Sequence, residues 1–117
     1  FSERGFMVDI VALPAMEELE DCMGRRWTIG DPPVQQNLRS VLLLTVRRCP
    51  VKTGGEAERC YNLIQAIRQE EGGPIRLVTS DFDWLVAHAK EFGHTVWSAP
   101  DAYLLVKILT ENVVAAE

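Results

Sequence analysis

No apolar run in this sequence is long enough to cross a membrane as a helix. The stretch at residues 41–46 falls far short of the roughly 20 residues such a span needs. Cysteine is scarce and odd in number: Cys22, Cys49 and Cys60 show neither paired spacing nor a disulfide framework. With no secretory signal pattern at the start, they read as reduced thiols of a cytoplasmic protein. Histidine is limited to His88 and His94, which lack the HExxH spacing or cysteine partners of a zinc site. No reactive setting surrounds any cysteine, which disfavours Cys–His nucleophilic chemistry. The glycine pairs do not form a phosphate loop, because Lys52-Thr53 precedes Gly54-Gly55 where a P-loop places its lysine after the glycines. Basic charge is also in deficit. A net charge of -5 works against a surface devoted to nucleic acid or to an anionic membrane.

The chain of 117 residues is the size of one domain, with 47% hydrophobic and 25% charged residues, ordinary values for a globular protein. Residues 1–117 are therefore read as a single domain. Met7 reads as a native start, with residues 1–6 as leader or disordered residues. Charge is unevenly spread. Residues 1–33 carry seven acids against three bases, and residues 34–72 carry six bases against four acids.

The stretch from Pro74 to Pro100 reads as strand, helix, strand. Ile75, Leu77 and Thr79 alternate with Arg76, Val78 and Ser80, the period of a half-buried strand. Ser80 is placed to cap a following helix whose first turn holds Asp81 and Asp83. Phe82, Leu85, Val86, Ala89 and Phe92 share one face of that helix, with His88 half exposed at its side, and Gly93 ends it. Residues 94–98 are expected as a second strand. Ser98-Ala99-Pro100-Asp101 then starts a nearly all-apolar helix to about Asn112.

Upstream, residues 8–13 could form a strand and residues 15–23 a short acidic helix, with Trp27 anchored against the core. Asp31-Pro32-Pro33 is expected to open a helix over residues 34–48, whose stripe of Leu38, Val41, Leu42 and Val46 is widened by Leu43 and Leu44. Pro50 stops it. Thr53-Gly54-Gly55-Glu56 fits a capping box for a helix over residues 55–70 that buries Ala57, Cys60, Tyr61, Ile64 and Ile67. The short link between these two helices predicts an antiparallel hairpin. The fold class expected is α+β: a compact, helix-rich single domain with a small sheet of two or three strands.

Ser80-Asp81-Phe82-Asp83 at a strand end is the most catalytic-looking motif, since carboxylates there suit Mg²⁺. The stretch LVTSDFDWLVAHAKEFGHTVW resembles the corresponding part of PIN- and NYN-type nucleases. That resemblance implies a divalent-metal-dependent nuclease using Asp81 and Asp83, with Asp9 as the earlier acidic ligand. The same acids also fit a helix N-terminus, and that structural role is preferred. A second resemblance spans residues 38–109: CPVKTGGEAERCYNLIQAI, then GPIRL, DFDWL and W-x-x-P-D-A-Y. It is similar to small phage- and prophage-encoded accessory proteins and implies an assembly role with no catalytic residues to carry over.

The function expected is a non-enzymatic protein–protein interaction or assembly module, with the nuclease as the alternative. No catalytic residue, metal ligand or cofactor is assigned. The partner is a protein or a second copy of the chain, and the interface candidates are Trp84, Trp97, Tyr103, Leu43 and Leu44. A minor basic cluster, Arg47, Arg48 and Lys52, suits a helix C-terminus better than a nucleic-acid site.

Overall fold

The computed structural model describes residues 10–69 and 73–116. Residues 1–6, Met7, Asp9 and Gly72 lie outside these, as does the end of the expected helix at residue 70.

Three strands form an antiparallel sheet: β1 (Ile10–Leu13) lies between β4 (Ile75–Val78) and β5 (Val114–Ala116). Val11 stands opposite Leu77 and Leu13 opposite Ile75 on the inner face, and Ile10 stands opposite Val78 on the outer. The pleat sends alternate side chains to opposite faces, so Leu13, Ile75 and Leu77 are buried while Ile10, Val78 and Val114 are exposed. A two-stranded hairpin pairs β2 (Thr28–Ile29) with β3 (Val34–Gln35).

Four helices accompany the sheets: α1 (Leu38–Arg48), α2 (Gly54–Arg68), α3 (Thr79–Phe92) and α4 (Ala99–Asn112). Helices α2 and α3 pack on β4, α1 packs on α2, and α3 packs on α4. The core gathers Leu38, Val41 and Leu42 of α1, Leu63 and Ile67 of α2, Leu85 of α3 and Leu105 and Leu109 of α4. The helix-rich α+β architecture follows the sequence reading. The hairpin of α1 and α2 is antiparallel, because the guanidinium of Arg39 in the first turn of α1 donates to the carbonyl of Ile67 near the end of α2.

Local signals explain the helix starts. The Thr53 hydroxyl accepts from the Glu56 amide at 3.1 Å, and the Glu56 carboxylate accepts from the Lys52 amide at 2.8 Å. The Ser98 hydroxyl accepts from the Asp101 amide at 3.4 Å, with Pro100 in the first turn. Asn37 and Ser40 cap α1 reciprocally: Asn37 Oδ1 accepts from the Ser40 amide at 2.7 Å and Ser40 Oγ from the Asn37 amide at 3.0 Å.

Five expectations are corrected. Residues 15–23 are not helical. The Asp21 carboxylate accepts from the amides of Met23 and Arg25, a local turn that competes with helix, and Gly24 adopts φ +77. The helix begins at Leu38 and not at Val34, because Pro32 and Pro33 lie in the turn between β2 and β3, where Gly30 has φ +90. Residues 94–98 are not a strand. A 3-10 turn, Gly93–Thr95, links α3 to α4, and a side chain on Gly93 would approach Ala102 Cβ to 3.2 Å. Helix α3 starts directly from β4 at Thr79 with no side-chain cap, so Ser80 is inside the helix. The buried stripe of α2 is Cys60, Leu63 and Ile67, and Tyr61 is exposed, because α2 turns that stripe toward α1 and β4.

Candidate functional sites

A polar corner forms where the start of α3 meets α2. Strand β4 delivers Asp81 to the first turn of α3, where a carboxylate complements the helix dipole. Arg59 of α2 reaches it: its Nη1 lies 3.4 Å from Asp81 Oδ1 and donates to the Ser80 carbonyl at 3.3 Å. The guanidinium also sits 5.8 Å from the centre of the Trp84 ring. Asp81 thus has a cation as its partner, and Asp83, one residue further along the helix from Phe82, is exposed. The small polar cleft here is lined by Gly55, Glu58, Arg59, Asn62 and Asp81. Among the described residues, no group of three or more histidine, cysteine or acidic side chains is placed to hold a metal ion. Asp9 lies outside them.

Behind this corner an aromatic stack runs along α3. The His88 ring lies 4.4 Å from Trp84, nearly parallel to it, and 4.9 Å from Phe92. His88 is 6% exposed, which corrects the expectation that it is half exposed: α3 turns it toward the link between α1 and α2. Its ring hydrogen-bonds the Pro50 carbonyl, whereas Nε2 is buried with no partner. Burial lowers its pKa below the ordinary 6.5, outweighing the Glu56 and Glu91 charges and the Pro50 bond that act the other way.

The thiols are all held protonated. Burial, followed by the neighbouring Cys60, pushes Cys49 up to about 11. Burial and then Glu56 raise Cys60. Cys22 is raised chiefly by its hydrogen bond to Asp101. Desolvation would raise Asp101 itself, but the Cys22 amide and thiol and the Ser98 hydroxyl outweigh that and hold it low. Asp101 Oδ1 accepts from the Cys22 amide at 2.9 Å, tying the acidic turn to the start of α4.

The interface candidates divide. Trp97 is half-buried, edge-on to Trp27 at 5.1 Å, and its indole donates to Thr45 at 2.7 Å; the Thr45 hydroxyl in turn donates to the Val41 carbonyl. Trp84 is half-buried in the stack. Tyr103 is 71% exposed, beside a groove of about 580 Å³ between α3 and α4 that also includes Lys90 and His94. Leu43 and Leu44 are half-buried in a second groove of about 550 Å³, which β3, α1 and α2 enclose with Val34 and Ile64. Arg47 and Arg68 edge it, both exposed, with no ion pair to either among the described residues. Sequence reading identified the leucines through the unusually wide stripe of α1. Arg68 carries no such signal, because only the packing of α2 brings it to the groove.

No family model, curated protein or solved structure matches the chain. No described helix is long and apolar enough to cross a membrane.

Proposed function

We propose that this chain is a non-enzymatic interaction or assembly module of the phage-accessory kind, acting on a protein partner or on itself in the cytoplasm. The observation that carries this reading is the outer face of the three-stranded sheet, where exposed apolar side chains meet no cover from the described residues. Ile10 and Val78 stand side by side there, and Val114 is placed one strand over opposite Ala12, 61% exposed. Exposed apolar side chains on neighbouring strands, here beside Arg76 opposite Ala12, are a common mark of an association surface. The Arg59–Asp81 pair supports the same reading from the other direction, because it gives the most catalytic-looking carboxylate a structural partner.

Size-exclusion chromatography with light scattering tests it. The expected result is a mass that rises above 13.2 kDa with concentration and returns to the monomer in Val78→Lys. A strict monomer removes the self-association form of the proposal and leaves a separate partner.

A further inference from the structure

The groove between α1, α2 and β3 has a chemistry that specifies its occupant. Its floor is aliphatic: Val34, Leu43, Leu44 and Ile64. Arg47 near the end of α1 and Arg68 at the end of α2 also line it. Arg39 touches the Ile67 carbonyl and so marks where the end of α2 meets the start of α1. Arg47 lies eight residues further along α1, which at a rise of about 1.5 Å per residue sets it roughly 12 Å from that point. Along the hairpin the backbone positions of residues 47 and 68 are therefore about two helical turns apart, with Leu43, Leu44 and Ile64 between them. Both are exposed, in a protein whose net charge is -5.

We propose that this groove docks an acidic amphipathic helix of a partner protein, with carboxylates at positions i and i+7 and aliphatic side chains at i+3 and i+4. Those four positions share one helix face, with the outer two about two turns apart. The aliphatic pair lies on Leu43, Leu44 and Ile64, and each carboxylate meets one arginine, a residue suited to bidentate pairing. The arrangement is the helix-in-groove mode of recognition. Two isolated arginines with an aliphatic floor and no aromatic platform suit nucleic acid poorly. This assignment rests on the interaction reading above and names the partner for one of its surfaces.

The test is selection from a displayed library of 16-residue helices, with leucine fixed at i+3 and i+4 and positions i and i+7 each varied among glutamate, lysine and serine. The expected result is enrichment of glutamate at both positions. Selection on an Arg47→Glu, Arg68→Glu double variant should enrich lysine instead. The selected peptide should bind Leu44→Asp at least tenfold more weakly, as read by fluorescence anisotropy. Circular dichroism melts confirm that each variant is folded. No charge preference, or a preference unchanged in the double variant, overturns the proposal. So does tighter binding of a single-stranded oligonucleotide than of any displayed helix. Self-association abolished by Leu44→Asp would give the groove to a second copy, which also overturns it. If no helix is selected while the wild type assembles and Val78→Lys dissolves the assembly, the groove assignment fails and the interaction reading stands. A monomer that selects no helix removes the groove assignment and the self-association form of the interaction reading.

Discussion

Helix α2 presents arginine on two sides, and the two sides use it in opposite ways. At the polar corner Arg59 is engaged three times: by the Asp81 carboxylate, the Ser80 carbonyl and the Trp84 ring. Along the groove Arg68 and its counterpart Arg47 engage nothing among the described residues. A satisfied charge holds elements of the fold together. An unsatisfied one beside uncovered aliphatic surface can recognise something outside it. The corner that looks most like a reaction centre in the sequence thus ties α2 to α3, and the groove proposed for recognition lies on the other side of the helix.

The contrast yields predictions of decreasing size. The largest effect is expected at His88, beneath the corner. Because the fold depresses its pKa below the ordinary 6.5, the unfolded chain binds a proton there more readily than the folded one. The resulting stability is complete above that pH and is lost as pH falls below it. Urea unfolding between pH 8 and pH 5 should show the midpoint dropping on the acid side. His88→Phe, which keeps a ring between Trp84 and Phe92, should flatten that fall.

Next in size is Arg59→Ala. A part-exposed ion pair and one cation–π contact together are worth about 1 kcal/mol, with solvent screening keeping the ion pair's share small. Smallest is Arg68→Ala, which should change stability by no more than about 0.5 kcal/mol, the usual size for an exposed residue without partners. Chemical denaturation of the two variants side by side measures the difference. Equal losses would erase the distinction between the two sides of α2.

What could be read in advance was what the chain encodes locally. Thr53 with Glu56 and Ser98 with Pro100 mark helix starts through bonds reaching only a few residues, and the alternation of Ile75 and Leu77 sets the buried face of β4 without help from elsewhere. Two misreadings have local causes, the Asp21 turn and the Asn37–Ser40 cap, and others fall where distant structure decides. The spacings of residues 57, 60, 64 and 67 and of residues 60, 63 and 67 are both helical, and only contact with α1 and β4 selects the second. His94 to Ser98 are β-prone, but α3 and α4 pack closely at Gly93 and Ala102 and need a short turn between them. Strand β5 becomes a strand only because β1 offers it an edge. The candidate sites divide likewise. Leu43 and Leu44 are evident from the width of one helical stripe, whereas the partners Arg59–Asp81 are 22 positions apart and Arg68 reaches the groove only through packing.

The most direct measurement is a manganese titration followed by electron paramagnetic resonance. With Asp81 held by Arg59, the free-ion signal should be the same with and without protein, in the wild type and in Asp81→Asn alike. A stoichiometric loss of that signal in the wild type, restored in Asp81→Asn and accompanied by metal-dependent cleavage of RNA or DNA, would contradict the account and make the corner a nuclease centre.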